Sequence, residues 1–153
     1  MGELINLVVF LIEQQRYALP LASVVRIVSA SEITKLPNTP TSMLGVINFQ
    51  GEVIPVLNLR QRFNLPEKEV GSKHHFLIAL LPTRKVAIFI DEPQGVIEID
   101  ESLLVDSDQI SSDMEQFQGI VKLDGDLVLI YDLEKFLSPN DEKLLDEALG
   151  QLV

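Results

Sequence analysis

The sequence predicts an all-β protein built from two packed groups of antiparallel strands. About ten short apolar segments are separated by polar turns of only a few residues. Parallel strands would need crossover connections of roughly a dozen residues or more, so this spacing favours antiparallel pairing. The 153-residue chain is 46% hydrophobic but only 6% aromatic, and it contains no Trp and no Cys. Its core must therefore be built from Val, Ile and Leu, which favour strands.

The first predicted elements are an N-terminal hairpin and a third strand. Apolar residues dominate segments 4–12 and 16–21, which lie on either side of a short polar turn. A third strand is predicted over residues 24–28, where Arg26 interrupts an apolar run. Residues 35–40 read KLPNTP. Because proline lacks an N–H donor and favours turns, this segment is predicted to be a loop.

The second predicted hairpin, over residues 43–49 and 52–59, is the most hydrophobic part of the chain. It turns near Gln50 and Gly51, and Pro55 lies inside its second strand. Since proline cannot donate a hydrogen bond to a strand ladder, we expect Pro55 at an edge or a bulge. A short helical segment is predicted directly after this hairpin.

The remaining strands are predicted in the second half of the chain. Asp124 and Gly125 separate two apolar runs, and Asp-Gly in this setting indicates a tight hairpin. Residues 65–73 are the longest polar stretch in the middle of the chain and indicate a changeover between two groups of about five strands. The later strands are expected over residues 75–81, 86–90, 95–99, 118–123 and 127–133.

These elements predict a single domain, residues 1–153, that contains two strand units and a terminal helix. The first unit is expected over roughly residues 16–72, and the second over roughly residues 4–15 and 73–137. An amphipathic helix is predicted over residues 139–151.

The predicted terminal helix has both a start signal and an apolar face. Ser138 or Asn140 can cap it, and Asp141 and Glu142 suit its first turn. Its apolar stripe follows helical spacing and consists of Leu144, Leu145, Ala148, Leu149 and Leu152.

Charge is distributed unevenly along the chain. The formal net charge is −11, and 17 of the 23 acidic residues follow His75, together with only 5 of the 12 basic residues. This acidic half would repel DNA, and no basic stripe with interleaved aromatic residues offsets it. The apolar run near the N-terminus has no basic flank and is too short to cross a membrane. We therefore expect a cytoplasmic protein that binds no nucleic acid and does not insert into a membrane.

The sequence offers few candidates for catalysis or metal binding. His74 and His75 are adjacent, and in a strand their side chains would point to opposite faces. Asp106, Asp108 and Asp113 lack the glycine and the terminal glutamate of a calcium-binding loop. We find no phosphate-binding glycine loop and no nucleophile elbow. No catalytic residue, metal or cofactor is expected. The alternative is a small-molecule or enzymatic site between the two units that uses His74 or His75.

Four segments, in order along nearly the whole chain, resemble a known family. They read FLIEQQRYALPLASVVRIV, ITKLPNTPTSMLGVINFQGEVIPVLNLRQRF, VAIFIDEPQGVIEI and GIVKLDGDLVLIYDLEKFL, of which the second is the most specific. The chain resembles the CheW-type coupling proteins of bacterial chemotaxis. The resemblance implies two five-stranded barrels around a shared core and no catalysed reaction. It also implies binding to a CheA-type histidine kinase and to chemoreceptor tips, with recruitment to receptor arrays at the inner face of the membrane.

The same resemblance implies two partner surfaces. Gly45 is expected where two β surfaces approach too closely for a side chain. Asn48 and Gln50 are expected near the receptor, although both could instead serve only to satisfy backbone groups of the turn. The implied contact residues are Ile33, Thr34, Leu44 and Gly45 for the kinase, and Val24, Arg26, Asn48, Gln50 and Val53 for the receptor.

Three positions depart from the pattern that this resemblance implies. Gln50 replaces a common arginine, Arg26 an often-found glutamate, and Asn58 the aspartate of a Leu-Asp-Leu-Arg motif. The first two changes swap the polarity of an expected pair in the receptor groove, and the third removes a negative charge beside Arg60. We expect the fold to be unaffected and the receptor to differ, as in surface motility or light-directed movement. A decoy that binds the kinase or the receptor, but not both, is a further alternative.

Overall fold

The computed structural model describes residues 2–106 and 116–150 and confirms the all-β class. Helices α1 (Leu59–Arg62) and α2 (Pro139–Gly150) accompany two sheets. The strands described are β1 (Leu4–Ile12), β2 (Gln15–Pro20), β3 (Val24–Ser29), β4 (Met43–Phe49), β5 (Glu52–Leu57), β6 (His75–Leu80), β7 (Lys85–Ile90), β8 (Glu92–Asp100), β9 (Val105–Asp106), β10 (Phe117–Leu123) and β11 (Asp126–Tyr131).

The strands form a six-stranded and a five-stranded sheet. The strand order is β8-β1-β2-β11-β10-β9 in the first sheet and β3-β6-β7-β5-β4 in the second. Pairing is antiparallel except between β2 and β11 and between β5 and β7. These two parallel contacts join strands that are distant in sequence, whereas the hairpins β1–β2, β4–β5, β6–β7 and β10–β11 each join consecutive strands. Closure of either sheet into a barrel stays a prediction.

The two sheets divide the chain differently from the predicted units. The sequence places β2 in the first unit (16–72), but it pairs with β1 and β11 in the six-stranded sheet. It places β6 and β7 in the second unit (4–15 and 73–137), but both lie in the five-stranded sheet. The chain changes sheet at the short 3₁₀ turn Leu21–Ser23 and again at Asp91. These crossings are too short to leave a compositional signal, which is why the polar stretch was a misleading boundary.

Two hairpin turns have the geometry that their sequences indicate. Gln50 and Gly51 have φ values of 53° and 85°, and Asp124 and Gly125 have φ values of 50° and 85°. Positive φ at both central residues is typical of type I′ turns, whose twist matches that of the flanking strands. The hairpins predicted at these two positions are confirmed.

Both faces of each sheet are buried over much of their area. The largest apolar cluster combines residues of both sheets, including Phe10 and Leu19 from one sheet and Leu77 and Ile88 from the other. A second cluster, which includes Phe76, belongs to the five-stranded sheet alone, and a third belongs to the six-stranded sheet. Alternate residues of one strand therefore enter different clusters, as the twofold repeat of a strand requires. The expected shared core is present.

Pro55 lies in an interior strand, at neither the predicted edge nor the predicted bulge, since the register shift of this hairpin falls between Met43 and Gly45. β5 is flanked by β4 and β7, and Pro55 pairs with Val46. The backbone N–H and carbonyl of Val46 are instead bonded to Thr34, at 2.8 and 2.9 Å. They point away from β5, so this pair requires no donor from Pro55. The parallel pairing with β7 begins only at Val56, and the missing N–H therefore costs no ladder hydrogen bond there.

Helix α2 packs on the body of the protein as predicted. Leu145 is fully buried in the shared core, and Ala148 is buried beside it. The Ser138 hydroxyl accepts a hydrogen bond from the Asp141 N–H at 3.0 Å, and the Asp141 carboxylate accepts one from the Ser138 N–H at 3.2 Å. These reciprocal bonds form a capping box. Of the predicted apolar stripe, Leu152 lies outside the described residues.

Candidate functional site

The four residues implied for kinase binding come together at the outer edge of β4. Thr34 forms an isolated antiparallel bridge with Val46, which lies next to Gly45. Leu44 and Ile33 are half-buried, and both pack against the second apolar cluster. Thr34 is exposed. The chain thus offers a continuous surface of one exposed polar and two half-buried apolar side chains.

Gly45 is needed for a reason internal to the chain. It is buried, with a φ of 152°, and a Cβ atom there would overlap the Thr34 carbonyl oxygen and lie 2.6 Å from Ile33 Cγ2. The close approach expected at this glycine is therefore made by residues 33–34 of the same chain. A side chain at Gly45 would displace this segment, so the shape of this surface requires a glycine there.

A groove of about 760 Å³ opens beside this surface. Its walls are formed by segments within 30–35 and 67–72, and Leu44 contributes to its lining. The apolar lining also includes Ala30, Ile33 and Val70, while the charged residues around it are Glu32, Lys35, Glu67, Lys68 and Glu69. We call this feature the β4 groove.

Asn48, Gln50 and Val53 cluster at the end of the β4–β5 hairpin. Asn48 pairs with Val53 across the strands, and its side-chain oxygen accepts a hydrogen bond from the Gly51 N–H at 2.9 Å. Asn48 therefore does satisfy a backbone group of the turn, which was the alternative role considered for it. Gln50 is exposed at the first position of the turn, and Val53 is 44% exposed. Gln50 and Val53 remain available to a partner.

A β-bulge separates the directions of Val24 and Arg26. Val24 pairs with Ala79, which belongs to the shared core, whereas Arg26 pairs with Ile78 of the second cluster. Because cross-strand partners share a face, the bulge directs these two side chains to opposite faces of the sheet. Val24 is half-buried and Arg26 is exposed. The sequence could not show the extra residue that causes this switch.

The expected pair between Arg26 and Gln50 is not formed. Arg26 lies in β3, and Gln50 directly follows β4. These are the two outermost strands in the order of the five-stranded sheet. Within residues 2–106 and 116–150, no hydrogen bond or ion pair joins Arg26 to Gln50. Arg26 and Gln50 therefore form no pair with each other among the described residues.

Arg60 forms a buried ion cluster that the sequence did not reveal. Its side chain is 2% exposed and pairs through Nη1 with Glu13 Oε1 and through Nη2 with Asp91 Oδ1. The guanidinium carbon also lies 5.4 Å from the centroid of the Phe89 ring, and Lys68 Nζ lies 3.7 Å from Glu13 Oε1. We call Glu13, Arg60 and Asp91 the Arg60 cluster; the only sequence signal for it was the Leu-Arg pair.

Asn58 has a role different from that expected. Its side-chain oxygen accepts a hydrogen bond from the Gln61 N–H at 3.1 Å, which caps α1. Asparagine is as good a helix cap as aspartate. Arg60 already has two carboxylate partners, so the substitution at position 58 does not leave it unpaired.

His74 is held in its neutral form by its surroundings. Its Nδ1 accepts a hydrogen bond from the Gly71 N–H at 2.8 Å, and its Nε2 lies 3.6 Å from Asp91 Oδ1. Burial lowers the pKa of His74, an effect that the nearby Asp91 carboxylate opposes. Among the described residues, no group of three or more potential ligands is placed to hold a metal ion. Asp108 and Asp113 lie outside those residues.

Comparison with known proteins identifies the family. A model of the CheW-like domain matches residues 6–140 of the chain. The chain belongs to the CheW-like domain family. It is 27% identical over 140 residues to the probable chemotaxis protein CheW of Rhizobium etli, covering 90% of both chains. It is 30% identical over 134 residues to the chemotaxis protein CheW of Bacillus subtilis, covering 86% of both chains.

A solved structure supports the same assignment. The scaffolding protein TtCheW of Thermoanaerobacter tengcongensis superposes with a TM-score of 0.81 at 28% identity, covering 91% of this chain and 96% of that protein. The predicted membership and the predicted adaptor class are confirmed, and the alternative of an enzyme or small-molecule site gains no support. All nine implied contact residues lie inside the CheW-like match, whereas α2 after Asn140 lies beyond it.

In the part of this CheW-like chain that the structure describes, neither α1 nor α2 combines the length and the apolar character that a membrane crossing requires.

Proposed function

We propose that this chain is a non-catalytic adaptor that joins a CheA-type histidine kinase to the cytoplasmic tips of chemoreceptors. The observation that carries the proposal is the match to CheW proteins over nearly the full length of both chains. The adaptor works at the cytoplasmic face of the membrane, within receptor arrays. Its contribution is to hold two partners at fixed positions on one rigid body.

The kinase docks on the outer edge of β4, at Ile33, Thr34 and Leu44. Ile33 and Leu44 offer apolar surface beside the β4 groove and Thr34 adds a polar group, and apolar patches with a polar rim are typical of docking sites. Because Gly45 has no side chain, residues 33–34 can lie directly against β4 and give this surface its shape.

Thr34→Arg is expected to weaken kinase binding by about tenfold or more while the fold is retained. Thr34 is exposed and uses only its backbone in the bridge to Val46, so a long charged side chain there meets the partner and not the core. Thr83→Arg, the same change at an exposed turn between β6 and β7, is the matched control. Isothermal titration calorimetry with the kinase measures the affinity of both variants. Equal kinase affinities for the two variants would show that the kinase does not bind at the β4 edge.

The receptor contacts the β4–β5 hairpin end and the exposed part of β3. Val24, Asn48 and Val53 lie on the sheet face that packs, further along, on the shared core. Arg26 has no ion-pair partner among the described residues and is exposed, so it is available to an acidic side chain. A receptor helix with Asp or Glu facing Arg26 is favoured, and one with Arg or Lys there is rejected by like charge.

Arg26→Glu with Gln50→Arg is expected to weaken binding of the cognate receptor and to strengthen binding of a conventional CheW receptor. Because the two residues do not touch, their single effects should add within about 0.5 kcal/mol. Stability should change little, since both positions are exposed. A double-mutant cycle of receptor affinities checks this. Unchanged affinity for both receptors would mean that receptor choice is determined at another surface.

One copy binds both partners at once, which distinguishes an adaptor from a decoy. Support comes from the two sets of contact residues, which do not overlap: Ile33, Thr34 and Leu44 lie at the outer edge of β4, whereas Asn48, Gln50 and Val53 lie at the end of the β4–β5 hairpin. Size-exclusion chromatography of adaptor, kinase and receptor fragment together tests this point. Mutually exclusive binding in that mixture would favour the decoy.

A further inference from the structure

His74 connects the two walls of the β4 groove. Its main-chain carbonyl accepts a hydrogen bond from the Ala30 N–H at 3.0 Å, and Ala30 belongs to the first wall. Its main-chain N–H donates to the Gly71 carbonyl at 3.1 Å, and its ring Nδ1 accepts from the Gly71 N–H at 2.8 Å. Gly71 belongs to the second wall. A single residue thus fixes the position of both walls.

The ring bond to Gly71 requires an unprotonated Nδ1. A nitrogen that accepts a hydrogen bond carries no proton, so the neutral ring carries its proton on Nε2, facing Asp91 Oδ1 at 3.6 Å. The ring also packs edge-on against Phe89, with centroids 4.7 Å apart. Among the charged groups that act on it, Asp91 favours the imidazolium ion, whereas Arg60, Lys68 and His75 oppose it. Glu13 binds Arg60 and Lys68 and belongs to the same network.

We propose that His74 is a proton-operated latch on the β4 groove. The neutral ring holds the 67–72 wall through Gly71, and a proton taken from solvent by Nδ1 releases that wall. On protonation the lone pair of Nδ1 forms an N–H bond, so two N–H donors then face each other and the Gly71 N–H must turn to water. This latch rests on the proposed function, because that function assigns the groove to the kinase.

The direction of the pH dependence follows from the latched geometry. Burial lowers the pKa of His74 in the latched form, whereas release to solvent brings the pKa back toward about 6.5. The released form therefore takes up the proton more readily. The stability of the latched form is therefore greatest above about pH 6.5 and decreases progressively as the pH falls below that value.

The first test uses the adaptor alone. Nitrogen-15 NMR of the imidazole ring and hydrogen exchange of the Gly71 amide are followed between about pH 7.5 and about pH 5.5. We expect the Gly71 amide to lose its protection with the same midpoint as the His74 titration. In His74→Asn the side-chain oxygen stands where Nδ1 stood and cannot be protonated, so protection should persist at low pH. A Gly71 amide that does not respond to the His74 titration would overturn the latch.

The second test measures kinase affinity at the same pH values, with every variant compared with wild type at one pH so that titration of the kinase cancels. As the pH is lowered from about 7.5 to about 5.5, the affinity of the wild type for the kinase should fall about three- to tenfold relative to that of His74→Asn. His74→Phe keeps a ring against Phe89 but lacks an acceptor, so it should bind weakly at both pH values. His75→Asn is the control and should behave like wild type.

The two proposals fail in different ways. If His74→Asn and wild type lose the same affinity at low pH, the latch is overturned, and a loss of binding in Thr34→Arg would still support kinase docking. If Thr34→Arg binds normally, the assignment of this surface to the kinase fails, and the response of the Gly71 amide in the adaptor alone still decides whether His74 is a latch.

Discussion

Replacing Arg60 with methionine is expected to lower the free energy of unfolding by about 3–5 kcal/mol. The Arg60 side chain is 2% exposed, while those of Glu13 and Asp91 are 28% and 18% exposed. Methionine fills a similar volume, but it leaves two carboxylates in a poorly solvated site without their shared cation. The cost comes mainly from this unpaired charge and not from lost packing. Urea denaturation at neutral pH, followed by circular dichroism, measures it.

Two further variants show whether burial is the cause. Arg16→Met breaks an exposed pair with Asp126, 3.9 Å apart, and should cost less than about 1 kcal/mol. Adding Glu13→Gln and Asp91→Asn to Arg60→Met removes the stranded charges, and the triple variant should recover much of the stability. The amide oxygen that Asp91→Asn introduces can still accept the Glu13 backbone N–H, which bonds the Asp91 carboxylate at 2.7 Å. If Arg60→Met costs no more than Arg16→Met, the Arg60 cluster is not a structural element.

The Arg60 cluster joins segments of both sheets. Glu13 lies in the turn between β1 and β2 of the six-stranded sheet, and Arg60 lies in α1, directly after β5 of the five-stranded sheet. Asp91 lies where the chain passes from one sheet to the other. The cluster therefore ties the two sheets together beside His74.

Local pattern was sufficient to predict most of the strands. The bounds predicted for β1 and β4 are those observed, because apolar runs ending at polar turns mark both strand ends. The Asp124–Gly125 hairpin followed from turn chemistry alone, since both positions adopt positive φ. The capping residues of α2 were likewise readable from the sequence. Each of these features depends on contacts between near neighbours.

Features that depend on distant residues were missed. Arg60 is 47 residues from Glu13 and 31 residues from Asp91, and no spacing rule joins such positions. The bulge at β3 inserts one residue opposite β6 and sends Arg26 to the face opposite that of Val24, which strand alternation alone does not predict. The candidate kinase residues do lie together, but only because Thr34 bridges to Val46. The resemblance to CheW proteins grouped the candidate kinase residues in advance, but it revealed neither the Arg60 cluster nor the bulge.

Deleting residues 141–153 is expected to lower the melting temperature by about 10 °C or more. The deletion removes Leu145, which is fully buried in the shared core, and Ala148, which is 7% exposed. Loss of a buried leucine side chain alone costs about 2–5 kcal/mol, and about 1 kcal/mol corresponds to roughly 2–4 °C for a chain of this size. The deletion also removes the Glu142 carboxylate, 2.8 Å from Arg84, and the Asp146 carboxylate, which pairs with the same guanidinium.

Point substitutions within α2 separate packing from the mere presence of the helix. Leu145→Ala should cost about 2–5 kcal/mol, whereas Glu147→Ala, at an exposed position of the same helix, should change stability by less than about 0.5 kcal/mol. Differential scanning calorimetry of both variants and of the deletion provides the comparison. A deletion variant that melts with the wild type would show that α2 does not cover the core. Since most of α2 lies beyond the CheW-like match, a large loss would instead make this helix a part of the core that the family pattern does not include.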